Sequence, residues 1–219
     1  MDGLTWLASN VIGLPGAKGT NTSNSIYVNG NQHGNNIHHE FGRTHHFWPS
    51  LDALYNDLKS APVRISVMGK FHNYKEGDFI KYNDGKLGEA VMLDVLEGTT
   101  GKKFTPMQNL SGHGPDGVYI DKSTNPATIF LAEAKSSING ADAAKAPTGS
   151  ATARLDKWIA DYEAGKYANA GSEALDTFQE LKTLRQDLTA PVKGIWIQVE
   201  VPKLDSSGVQ QLNAIVNVW

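Results

Sequence analysis

Three side chains of this 219-residue chain have the types and the order that chemistry on a charged substrate requires. They are Asp116, in Gly114-Pro115-Asp116-Gly117, and Glu133 and Lys135, in Glu133-Ala134-Lys135. Between them lie residues 118–121, a turn-rich patch at 122–126 containing Asn125-Pro126, and the apolar run 127–132. That order predicts a β-hairpin: strand, loop, strand. Side chains on a strand alternate faces, so Glu133 and Lys135 share one face and Ala134 takes the other. Antiparallel pairing around the loop then sets Asp116 roughly opposite Glu133. Two adjacent carboxylates repel each other unless a cation lies between them. A hard divalent ion takes oxygen ligands of this kind. The nearby ammonium would orient an attacking water or stabilise negative charge developing on a phosphate. The set points to metal-dependent hydrolysis of a phosphodiester. Plainer readings stand beside it: Pro-Asp-Gly is a strong turn sequence, and Glu133 with Lys135 would make an ordinary salt pair on a strand surface.

Upstream, residues 87–97 read as an almost wholly apolar helix, ended by Gly98 and buried on most sides. Glu89 falls in its apolar stripe, with Met92, Leu93 and Leu96 three, four and seven residues on. A glutamate there must be paired, capping or bound to a cation; the helix dipole also favours an acid in the first turn.

Pro-Asp, a strand-sized gap and Glu-X-Lys, with Glu89 on the preceding helix, resembles the PD-(D/E)XK nuclease superfamily, whose fold is restriction endonuclease-like. Gly114-Pro115-Asp116-Gly117-Val118-Tyr119, Glu133-Ala134-Lys135-Ser136 and a later helix with Trp158-Ile159 are similar to the nuclease domains of bacterial polymorphic toxins, contact-dependent inhibition effectors among them. The resemblance covers residues 84–162, about a third of the chain. It implies that Asp116 and Glu133 hold a catalytic divalent ion, Mg2+ or Mn2+ with Zn2+ as an alternative. It implies further that Glu89 and the Ala134 carbonyl complete the shell, and that Lys135 assists the attacking water or the phosphate. DNA is the implied substrate and tRNA the second choice. A cognate immunity protein is the implied partner. The implied setting is export within a larger effector that acts in the cytoplasm of a target bacterium. A cytoplasmic DNA repair or restriction endonuclease of the same fold is the alternative enzyme. An inactive binding module of this fold is the alternative outside enzymology.

Composition bounds these readings. The chain is 40% hydrophobic and 20% charged, which suits one globular domain with a sizeable core. It has no run of 18 apolar residues, so no membrane span is expected, and its N-terminus lacks the basic start and long apolar stretch of a secretory signal. Absence of cysteine excludes disulfides and thiolate metal sites. A net charge of −3 speaks against broad, non-specific affinity for nucleic acid, so a nuclease would need a local basic groove.

The remaining elements must position the site. Residues 1–48 read as an irregular Gly-, Asn- and His-rich segment, and 49–219 as the nuclease domain. Five of the seven histidines, His33, His38, His39, His45 and His46, fall in that first segment. They suit a transition metal, but they lack a metalloprotease spacing and read first as surface-loop histidines. Ser50 caps a helix whose apolar face is Leu51, Leu54, Tyr55 and Leu58. Residues 63–68 alternate as a strand. Residues 69–81 mix lysines with aromatics, an amphipathic segment or a nucleic-acid contact. His113, just before the hairpin, is either an exposed loop residue or a contact to substrate phosphate. Residues 136–150 read as a loop that carries Lys145. A helix follows over 154–162, then a second one capped by Ser172, then strands at 194–201 and 212–219. The sum is an α/β sandwich, a mixed β-sheet flanked by helices, as in a restriction endonuclease-like core.

Overall fold

A computed structural model describes residues 35–44, 46–69, 85–110, 112–137, 141, 145–186, 189–200 and 210–219. The expected basic and aromatic segment falls mostly outside them, as do His33 and His45. The elements run β1 (Asn35–Glu40), α1 (Leu51–Ser60), β2 (Val63–Gly69), α2 (Lys86–Thr100), β3 (Gly117–Asp121), β4 (Thr128–Ser137), α3 (Ala151–Glu163), α4 (Ser172–Arg185), β5 (Val192–Glu200) and β6 (Gln210–Val218). The strands form one mixed sheet in the order β1-β2-β6-β5-β4-β3. β1 and β2 are parallel, as are β4 and β5; the other neighbours are antiparallel. The chain is therefore an α/β protein with a mixed six-stranded sheet flanked by helices.

Alternation on β4 assigns the layers. Phe130, Ala132 and Ala134 join one core with Leu51, Leu54, Leu58, Val91, Met92 and Val95 of α1 and α2. Ile129 and Leu131 join a second core with Leu155, Trp158, Phe178 and Leu181 of α3 and α4. Both faces of β4 are thus covered, which is why it reads as a continuous apolar run. Glu133 and Lys135 continue the face of Ile129 and Leu131, so the strand aims them at α3. β5 is likewise buried on both faces: Gln198, on the face that alternation would leave polar, donates to the Ala141 carbonyl at 3.0 Å and accepts from Asn217 at 2.9 Å.

Several local expectations change. Residues 1–48 are not irregular throughout, because Asn35–Glu40 pairs in parallel with β2, from Asn35↔Val63 to Glu40↔Met68, and Trp48 is buried. Only Ile37 announces the strand by hydrophobicity. His39 lies two residues on, hence on the same inward face, and is itself buried. It is no surface-loop histidine: its Nε2 lies 2.6 Å from Asp94 Oδ2 on α2. Gly98 does not end α2. The helix runs on to a left-handed cap at Gly101, φ 68°, and a Cβ at Gly98 would collide with the His39 ring and come within 2.8 Å of the Arg43 carbonyl oxygen. Ser172 is the first residue of α4 rather than its cap, which is Gly171. Ser136 and Ser137 belong to β4 rather than to a loop, because the ladder with β5 continues through Ser136↔Val199 and Ser137↔Glu200. Ser50 does cap α1, accepting from Ala53 N at 3.1 Å. Among the described residues, no helix is long and apolar enough to cross a membrane.

Candidate active site

The hairpin register ends at Gly117↔Ala132, which sets Asp116 against Glu133 as alternation and loop length predict. β4 then continues past the end of β3, so its edge beyond Ala132 has no strand partner on that side. Asp116 fills the gap with its side chain: Oδ2 accepts the Ala134 N–H at 2.7 Å. A strand residue directs its N–H and C=O to the same edge, so the Ala134 carbonyl also lies on the Asp116 side. Asp116 Oδ1 accepts from Gln108 Nε2 at 2.6 Å, and the same nitrogen donates to Glu89 Oε1 at 3.1 Å. Glu89, half-buried in the first turn of α2, is therefore joined to Asp116 through Gln108. Close packing makes this corner possible: a Cβ at Gly88 would lie 3.3 Å from Ser136 Cβ, and one at Gly117 would lie 3.2 Å from Phe104 Cβ.

Glu133 is 2% exposed and Asp116 8%. Glu133 Oε2 takes two cations, Lys135 Nζ at 3.0 Å and Arg154 Nη2 at 3.1 Å. Its Oε1 is buried with no hydrogen-bond partner among the described residues. The Arg154 guanidinium lies over the Trp158 ring at 4.7 Å, and its Nε is likewise buried with no hydrogen-bond partner among the described residues. Burial pushes the Asp116 carboxyl above the usual range, against the Ala134 N–H, Lys135, Gln108 and Arg154, which favour its charge. Burial also pushes Glu133 up, and the charge of Asp116 adds to it; Lys135 and Arg154 oppose. The two acids are thus held ionised only against a cost.

The pair forms the floor of a pocket of about 480 Å³. α3 supplies one wall through Arg154, Lys157, Trp158 and Asp161; the loop around His113 and the turn at Lys166 and Tyr167 close the others. His113 is exposed at the rim, its N–H held by Asn109 Oδ1 at 3.1 Å. Lys145 is exposed and lies outside this lining.

Asp116, Glu133, Lys135, Ala134 and Glu89, all singled out in the sequence, meet at this corner. Gln108 and Arg154 were not singled out. Gln108 gives no signal in its own segment. Arg154 stands four residues before Trp158, on the same helix face as the apolar stripe, and a cation on such a face calls for a buried acid.

Among the described residues, no three His, Asp or Glu side chains are gathered as a ready metal cage. The donor set nonetheless fits a hard divalent ion. Two buried carboxylates repel each other, one of them carries an oxygen without a donor, and oxygen rather than imidazole dominates, which favours Mg2+ or Mn2+ over Zn2+. No protein-family model, curated protein or solved structure matches the chain.

Proposed function

We propose that this protein is a divalent-metal-dependent nuclease of the PD-(D/E)XK kind, with a restriction endonuclease-like core built on β3, β4, α2 and α3. The observation that carries the reading is the unpartnered buried oxygen of Glu133 beside Asp116, on the strand that also presents Lys135. A buried anionic oxygen without a donor is costly, and a cation between the two acids removes that cost. Asp116 and Glu133 would hold Mg2+ or Mn2+, with Glu89 and the Ala134 carbonyl in support, and the ion would supply Lewis-acid charge to a phosphodiester.

The chain's own groups then divide the work. Lys135, 38% exposed, reaches from Glu133 into the pocket, where its ammonium orients water or meets the charge developing on the phosphate. Arg154 balances Glu133 and offers its remaining N–H groups to a phosphate oxygen. Gln108 fixes Asp116 and Glu89 relative to each other. DNA is the substrate proposed, in the setting of a toxin domain neutralised by a cognate immunity protein; the likeness of the two motifs to polymorphic-toxin nucleases supports that setting.

The test is incubation with plasmid DNA and, separately, total tRNA, with Mg2+ or Mn2+ and with EDTA, beside Asp116→Ala. Metal-dependent loss of DNA that vanishes in the variant is expected. Cleavage confined to tRNA keeps the site and moves the substrate to RNA. If neither polymer is cut, the enzymatic reading is refuted and a binding module takes its place.

A further inference from the structure

Arg154, Lys157, Trp158 and Asp161 recur at steps of three and four, so they share one face of α3, and all four line the pocket. At 1.5 Å per residue, Lys157 and Asp161 lie roughly 5 and 10 Å along the helix axis from Arg154. At this outer end Asp161 holds two cations at once: Lys157 Nζ at 2.5 Å on Oδ2 and Lys166 Nζ at 2.6 Å on Oδ1. Those bonds keep the Asp161 carboxyl below its ordinary range, so it is ionised and the clasp closed at neutral pH. Two ammoniums around a single carboxylate leave one positive charge in excess. Both lysine side chains are well exposed, 70% and 62%, and open to a further anion.

Lys166 is also fixed from behind. Its N–H donates to the Asp161 carbonyl at 3.0 Å, and its own carbonyl accepts from Asn109 Nδ2 at 3.2 Å. Tyr167 beside it is buried against Phe178, ring centroids 4.6 Å apart. The two aromatic residues of the pocket are therefore closed to a ligand: Tyr167 by that packing, and Trp158, 8% exposed, by burial beneath Arg154. The pocket thus offers charge for a phosphate backbone, and among its described lining residues the one open ring is the His113 imidazole at the rim, away from Lys157 and Lys166 in sequence.

We infer that the clasp of Lys157, Asp161 and Lys166 is a second phosphate subsite. It takes a backbone phosphate of the same nucleic-acid strand whose scissile phosphate lies at Lys135 and Arg154, and Asp161 is its positioning residue. The assignment of the scissile end rests on the nuclease reading; the clasp itself is testable without cleavage. It defines the substrate class as a polymer read by its backbone, with no base preference contributed by the clasp.

The experiment is fluorescence anisotropy of two labelled duplexes of unrelated sequence, in EDTA over a range of salt. It compares wild type, Lys157→Gln/Lys166→Gln, and the control Lys59→Gln/Lys122→Gln, which removes the same charge outside the pocket. The clasp variant should bind both duplexes about tenfold more weakly, with a salt slope shallower by roughly 1, while the control stays close to wild type. Circular dichroism confirms that all three are folded. Wild type that fails to bind, a clasp variant that matches the control, or a loss confined to one sequence overturns the subsite. The two readings fail separately: protein that binds as described yet cuts nothing refutes the nuclease and keeps the clasp, whereas protein that cuts with an unaltered salt slope in the clasp variant does the reverse.

Discussion

Replacing Glu133 by Gln should raise the stability of the metal-free protein and abolish most of its response to metal. Glu133 is 2% exposed, and burial, reinforced by the charge of Asp116, pushes its carboxyl above the ordinary value. Its two cations compensate incompletely, because Lys135 and Arg154 are 38% and 27% exposed and partly screened. Removing the charge should therefore stabilise the protein at neutral pH, within the roughly 0.5–2 kcal/mol that single stabilising substitutions commonly give, or roughly 1–8 °C in Tm for a chain of this size. The pH dependence has a definite sign. A carboxyl raised on folding holds its proton longer in the native state than in the unfolded chain, so the stability it contributes is full below the unfolded value, near 4.5, and is lost as pH rises through the higher native one. The gap between variant and wild type should close below that pH and open above it. Metal inverts the order: a ligand at 100 times its Kd adds about 2.7 kcal/mol to wild type, while the variant, lacking a ligand charge, gains little. Thermal melts in EDTA and in Mg2+ or Mn2+, from acid to neutral pH, measure both effects. A variant that melts below wild type in EDTA at neutral pH, or a wild type whose Tm ignores both ions, would sink the argument that these acids are held apart for a cation.

Other perturbations separate the site from its scaffold. Lys135→Met should lower the initial rate of DNA cleavage by about 10²–10⁴, measured at saturating metal; a rate within a few-fold of wild type denies Lys135 its role. Gly98→Ala should destabilise by about 1–3 kcal/mol, read as a lower Tm, because its Cβ meets the His39 ring and the Arg43 carbonyl. The sign is the informative part, since alanine in an open helix interior normally stabilises. Ser50→Ala should cost about 1 kcal/mol through loss of the bond from Ala53 N, seen in a denaturant titration as a lower midpoint with an unchanged slope.

The parts of this molecule that were legible in its sequence are those fixed by local periodicity. β2 alternates Val63, Ile65 and Val67 inward as its sequence states, and the hairpin register follows from a strand, a loop and a strand of countable length. The site is legible for the same reason, because Asp116, Glu133 and Lys135 lie on one hairpin and alternation alone brings them together. What was hidden depends on contacts between distant elements. β1 carries Ile37 and a histidine on its inward face, and that histidine becomes a core residue only because Asp94, 55 positions later, receives it. Gly98 looks like a helix stop until His39 is placed against it. Gln108 and Arg154 belong to the site because a loop and a later helix pack over the hairpin's open end. The same distinction bears on chemistry. Two acids and a lysine on a hairpin define where a phosphodiester could be cut, but a single hairpin buries neither acid. It is α3 that delivers Arg154 to Glu133, where a second cation beside Lys135 offsets part of the cost of burying the pair. The helix that completes the electrostatics of the site also carries Lys157 and Asp161 outward along the same face, so the cation that steadies the buried acids and the groups that would steady a substrate strand are set by one helical repeat.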